Sequence, residues 1–195
     1  MPPKARITRD MILDAAFGLV RKRGHEALNV RDLARELGCS TQPILYVFDA
    51  MDELRAAVYR KADDFHTAYI LPKDSEGPGA LLQLGLNYVR FGHEERHLFR
   101  FLFESNRFGG MDLNGLVRGP GTEELIGILT GALACDREAA RKMFLTFFAV
   151  AHGLASLLAN NAMAYDEREC TGMLETVFRG ALASLQKERK EDRHA

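Results

Sequence analysis

The chain has 195 residues, enough for one or two small domains with a good core, and 47% hydrophobic against 27% charged residues is the balance of an ordinary globular protein. A formal net charge of −1 argues against a wholly basic nucleic-acid coat. Cys39, Cys135 and Cys170 lie far apart and form neither a CxxC nor a metal-ligand pattern, so no disulfide framework is expected and a reducing cytoplasm is the simpler location.

The charge is unevenly spread. Residues 1–48 carry eight Lys and Arg against five Asp and Glu, a balance of +3, which leaves −4 for the rest. A basic head on an acidic body suits phosphate contact at one end only. Residues 1–7, MPPKARI, read as a basic arm with no apolar run of a secretory signal. Met11, Ile12, Ala15, Ala16, Leu19 and Val20 then recur at helical spacing, and predict a first helix from Thr8 to Arg23. Thr8 caps it. Gly24 closes it after Arg21, Lys22 and Arg23, which suit the negative end of the helix dipole.

Two short helices follow within NVRDLARELGCSTQPILYVF, Asn29 to Phe48. The first runs from about Val30 to Leu37, with Asn29 as N-cap and Gly38 in the left-handed position that ends it. Ser40 is expected to cap the second and to bond the amide of Gln42, with Pro43 at the third helical position. Ala34, Gly38 and Ile44 fill the three places that a helix-turn-helix restricts most: close crossing, turn and inner angle. Leu33, Leu37 and Val47 complete the inner face. Thr41, Gln42, Leu45 and Tyr46 are left outside, on the face that enters the DNA major groove in such a motif. An ordinary helical hairpin of an all-α protein is the other reading of this unit alone.

The whole segment from Thr8 to Phe48 resembles the N-terminal domain of the TetR family of transcriptional regulators. The resemblance implies a three-helix DNA-binding head, residues 1–50, followed by an all-helical ligand-binding and dimer-forming body, residues 51–195. Three positions depart from the family pattern. Leu45 stands where a tyrosine is usual, Val47 where an aromatic or histidine is usual, and Met51 where a lysine is usual at the start of helix four. DNA contacts are therefore expected from Thr8, Arg9, Arg31, Ser40, Thr41, Gln42, Leu45 and Tyr46, with backbone amides at helix N-termini.

Helix four is expected from about Ala50 to Leu71, stopped by Pro72. It begins beside the head and ends near the aromatic body, so it can link the two. PKDSEGPG, 72–79, is a loop by composition. Helix five is placed at about Ala80 to Phe91, Gly92 is taken as a break, and helix six runs from about Glu94 to Phe108. Gly109 to Gly121 holds five glycines and a proline, a long loop with at most one turn near Leu113 to Val117, and it carries no GxxxxGK[ST] phosphate loop. Helix seven should start at Thr122 and reach Ala134. Asp136 caps helix eight, which continues to Asn160, and Asp166 caps helix nine. The tail KERKEDRHA is a solvated charge run. The fold expected is all-α with about nine helices.

Eight of the twelve phenylalanines lie between Phe91 and Phe148. They are either solid core or the wall of an apolar pocket with a few polar groups. In the pocket reading Phe91, Phe99, Phe103, Phe147, Phe148 and His152 contact a small apolar or amphipathic effector. The segment Phe144 to Met163 resembles TetR bodies that carry a Trp-His-Gly signature; here the triplet is Ala151-His152-Gly153, and the chain has no tryptophan. That resemblance implies that helices eight and nine pair with those of a second subunit. Met173, Leu174, Val177, Phe178 and Ala181 are the expected interface, and a monomeric bundle burying the same stripe is the alternative. Met143 to Ala159 borders the length of a membrane span, but Thr146, His152 and Ser156 favour a core or interface helix.

His93-Glu94-Glu95-Arg96-His97 is literally HExxH, the zinc-peptidase pattern. It supplies the alternative function, a helical small-molecule-binding or zinc-dependent enzyme that has kept a helix-turn-helix. No GxxH continues the pattern and no strand is expected to bind an extended peptide. The reading adopted is a ligand-responsive transcriptional regulator, a repressor acting as a cytoplasmic homodimer. Its expected partners are a pseudo-palindromic double-stranded operator and a small-molecule effector, with no membrane, no cofactor, no metal and no catalytic residue.

Overall fold

The computed structural model describes residues 7–72, 78–104, 112, 115, 120–161 and 163–192. Among the described residues there are nine α-helices and no strand: α1 Arg9–Arg23, α2 Val30–Glu36, α3 Gln42–Val47, α4 Met51–Ile70, α5 Pro78–Glu94, α6 Arg96–Phe103, α7 Pro120–Leu133, α8 Arg137–Asn160 and α9 Glu167–Asp192. A single 3-10 turn, His25–Ala27, joins α1 to α2. The chain divides into two compact units, Met1–Ala68 with Glu95–Arg107, and Tyr69–Glu94 with Phe108–Ala195.

In the first unit, α1 packs on α2 and on α6. Its buried residues Ile12, Ala16, Leu19 and Val20 are the inward part of the expected stripe, and the exposed part is Met11. Arg21 binds the Glu95 carboxylate through both Nε and Nη2, which ties the end of α1 to the start of α6. Glu95 is largely buried while Arg21 is half-exposed, and the pairing raises the guanidinium pKa. The Arg21 guanidinium also lies 4.9 Å from the Phe65 ring.

In the second unit, α8 packs on α5, α7 and α9. Two glycines of α5 let it approach α8. A Cβ on Gly85 would meet the Phe147 ring at 2.5 Å, and one on Gly92 would meet Ala155 at 2.8 Å. α8 is long and apolar enough to cross a membrane by length and composition. Its contacts with three other helices make it the central helix of this unit.

Several expected boundaries move. Gly92 does not separate α5 from α6; it lies inside α5, and the break falls at Glu95, the N-cap of α6. α5 and α7 begin at Pro78 and Pro120, earlier than expected, because proline is suited to the first helical position, where no N–H is required. α6 ends at Phe103, and the stretch expected to carry it to Phe108 lies outside the described residues. So do the arm over 1–6, residues 73–77 of the first loop, and most of the glycine-rich loop with its expected turn. α9 continues to Asp192, so most of the terminal charge run is helical.

Candidate nucleic-acid interface

Local chemistry builds the two helices. Thr8 accepts from the Met11 amide at 3.2 Å. Asn29 accepts from the Asp32 amide at 2.9 Å, and its own amide donates to the Asp32 carboxylate at 3.0 Å. That bond, with Arg23 and Arg35 alongside, holds Asp32 below the usual carboxylate range. α2 ends in a Schellman pattern. Cys39 N–H donates to Ala34 at 3.0 Å and Gly38 N–H donates to Arg35 at 3.2 Å. This needs Gly38 at φ 63°, a conformation that a Cβ disfavours.

α3 differs from expectation at its start. Thr41, not Ser40, occupies the N-cap, with no side-chain cap hydrogen bond, and Pro43 sits at the second helical position. Thr41 has helical backbone angles, φ −70° and ψ −22°, so the chain already turns into the helix without an extended cap residue. Leu33 and Ile44 are fully buried and Ala34 nearly so, as the close crossing requires. On the other side Ser40 and Gln42 are exposed and Thr41 is half-buried. Leu45 is 50% exposed and Tyr46 86%. The outward face of α3 therefore carries hydroxyl, amide, aliphatic and phenol groups, and no charge.

The flanking cations are unequally available. Arg31 is exposed on α2. Arg9 instead braces the α3–α4 corner: it donates to the Val47 carbonyl at 3.4 Å and to Glu53 at 2.8 Å, and lies 4.2 Å from the Phe48 ring. Glu53 also accepts from the Asp49 amide, and these bonds lower its pKa, Arg9 first. No sequence pattern announced this corner, because Arg9 is 38 to 44 residues from its partners.

The aromatic candidates fall in both units. Phe99 and Phe103 are neighbours on α6 in the first, ring centroids 5.0 Å apart, and Phe103 meets His66 edge-on at 5.1 Å. Phe91, Phe147, Phe148 and His152 belong to the second. There Tyr88, missed in the sequence, is buried and shares a 2.9 Å hydrogen bond with His152 Nδ1. Burial pushes its phenol pKa up. Phe148 packs against both rings, edge-to-face on Tyr88 at 5.7 Å and tilted on His152 at 5.5 Å.

Of the α9 candidates, Leu174 is fully buried within the chain, and Phe178 packs edge-on against Phe147 at 6.3 Å. Met173 is 53% exposed, and Val177 and Ala181 are half-buried. Val177 and Ala181 line an open groove between α8 and α9 with Thr146, Gly180 and Ser184.

HEERH does not form the zinc pattern. That pattern needs two histidines one turn apart on a continuous helix, and the helix is interrupted between them. His93 ends α5 and stacks on Tyr165 at 4.9 Å, whereas His97 starts α6 beside Gly24. Among the described residues no group of three His, Cys, Asp or Glu could hold a metal ion.

Residues 81–188 match the family described as tetracyclin repressor-like, C-terminal domain, and residues 12–58 match that of bacterial regulatory proteins, tetR family. No curated protein matches the chain. Among solved structures, it is similar to a TetR-like transcriptional regulator from Rhodococcus sp. RHA1, with TM-score 0.65 and 16% identity over 91% of this chain and 99% of that one. It is also similar to a protein assigned to the TetR-family transcriptional regulators from Rhodococcus sp., with TM-score 0.60 and 19% identity over 89% and 98%.

Proposed function

Because the chain belongs to the TetR family of ligand-responsive, DNA-binding transcriptional regulators, we propose that it is a homodimeric repressor released from a pseudo-palindromic operator by a small apolar or amphipathic effector. It is a transcription factor and not an enzyme. The observation that carries the proposal is the outer face of α3, where Leu45 and Tyr46 stand exposed beside Gln42 above a closely packed helix crossing.

In this reading residues 1–50 contact DNA and residues 51–195 hold effector and partner, in the cytoplasm and with no membrane. Gln42, Leu45, Tyr46 and Thr41 meet the major groove, and Thr8, Arg31 and Ser40 meet phosphates. Arg9 contributes chiefly by fixing the α3–α4 corner that it braces. The test is binding of the full chain to the DNA upstream of its own gene, against random duplex of equal length. Equal affinity for both would refute a sequence-specific regulator.

The second subunit is placed on the exposed side of α8 and α9, around Met173, Val177 and Ala181, with Phe178 at its edge and Leu174 as the buried support. The groove there offers small residues and little charge. Val177→Glu is expected to give a monomer in sedimentation, with operator affinity reduced by tenfold or more, since each half-site alone makes half of the contacts. An unaltered dimer would remove this stripe from the interface.

The effector is assigned to the second unit among Phe91, Phe147, Phe148 and His152, where the His152–Tyr88 pair supplies the polar groups. Helix α4 runs from one compact unit into the other, so a shift in its position is the proposed signal. A tenfold loss of operator affinity needs about 1.4 kcal/mol of coupling, and operator must weaken effector binding by the same factor. Calorimetry with and without saturating operator checks this. A body-bound ligand whose affinity ignores operator is not the inducer.

A further inference from the structure

We infer that the centre of each half-site is read as A·T base pairs, with Gln42 on an adenine and Leu45 against the C5-methyl of a thymine one step away. This rests on the proposal that α3 enters the major groove, and it names the bases that such a helix can select.

The argument begins with what α3 lacks. Guanine is most often recognised by Arg or Lys through O6 and N7, and cytosine by a carboxylate that accepts from N4. α3 has no basic and no acidic side chain, so neither reader is present on the inserted helix. The side chain on its outer face that can bond a base edge with two groups is the Gln42 amide, whose donor and acceptor match N7 and N6 of adenine. Leu45 makes the second contact. It is 50% exposed, and none of the described residues covers that half. Among the four bases only thymine offers a methyl group in the major groove.

Spacing makes the two contacts compatible. Gln42 and Leu45 are three residues apart on one helix face, about 5–6 Å at Cβ. That covers one to two steps of a duplex rising roughly 3.4 Å per base. Tyr46, 86% exposed, lies one turn beyond Gln42 and fits the flank of the same site. Arg9 is held by the Val47 carbonyl and by Glu53, so it does not replace the missing guanine reader.

The experiment selects binding sites for the full-length protein from a random pool of duplex DNA, then substitutes the selected site base by base. The expected consensus has A·T pairs at the centre of each half-site. Replacing one central thymine by uracil, which deletes only the methyl group, is expected to weaken binding about fourfold, the value of one buried methyl. Leu45→Ala should bind the thymine and uracil duplexes equally. Gln42→Ala should lose about tenfold or more on the selected site and no longer distinguish adenine from 7-deazaadenine. Central G·C pairs whose loss is felt only while Gln42 is present would overturn the inference and leave the regulator reading intact. Uracil that is tolerated at every central position would do the same for Leu45. A pool that yields no preferred sequence would overturn both the inference and the sequence-specific regulator.

Discussion

Lowering the pH from 7.5 to 5 is expected to remove about 2 kcal/mol of stability through His66 alone. His66 lies on α4, 7% exposed, with the Phe103 ring against it. Burial pushes its pKa down from 6.5 to about 4, because a charged imidazole loses its hydration there. The folded protein thus keeps His66 neutral while the unfolded chain takes up a proton below about pH 6.5. The unfolded state binds more protons across that window, so stability rises with pH between about 4 and 6.5. It is complete above pH 6.5 and is lost progressively as the pH falls towards 4. Urea unfolding at both pH values, on the wild type and on His66→Leu, separates this from carboxylate effects. The wild type should lose about 2 kcal/mol more than the variant. Equal losses would show that His66 is protonated in the folded state or is not the group responsible.

Adding one methyl group to α5 is expected to cost about 1–3 kcal/mol at either of two places, with opposite prospects of repair. At Gly85 the new Cβ lies 2.5 Å from Cε1 and Cζ of Phe147, a ring that is 1% exposed and cannot swing away. At Gly92 it lies 2.8 Å from both the Cβ and the carbonyl oxygen of Ala155, and 2.9 Å from its Cα. The first obstacle is a side chain and the second is largely main chain. Phe147→Leu, which removes the two offending ring atoms, should therefore rescue part of Gly85→Ala. Ala155→Gly should do little for Gly92→Ala, since the carbonyl remains. Two double-mutant cycles by thermal or urea unfolding measure the difference. A rescue at Gly92 as large as that at Gly85 would mean that α5 and α8 separate freely and that the glycines do not set their approach.

Gly92 also shows where the sequence could and could not be read. Thr8, Asn29, Asp136 and Asp166 were legible as helix starts because a cap bonds an amide two or three residues away. Gly38 was legible for the same reason, its turn being closed by Ala34 and Arg35. Gly92 looked like a break by the same local logic. Its actual role is to let a helix 63 residues further along the chain come close, and no local pattern encodes that. The true break at Glu95 is tied to Arg21, 74 residues away. In the candidate site, the outward face of α3 followed from helical spacing. The engagement of Arg9 and the pairing of Tyr88 with His152 did not, because each depends on long-range neighbours.

The Arg21–Glu95 pair has a consequence for how such a regulator can be recombined. The segment that closes α1 is α6, which is encoded after a helix of the other compact unit. A new DNA specificity spliced in as one contiguous block at the N-terminus would bring a foreign residue opposite Glu95, a carboxylate that is largely buried and would be left without its cation. Swapping heads between relatives therefore takes two crossovers, or one crossover that preserves an arginine at position 21. Changing the outward residues of α3 alone leaves Arg21 opposite Glu95, so operator preference is free to drift while the pair that fastens α1 to α6 stays intact.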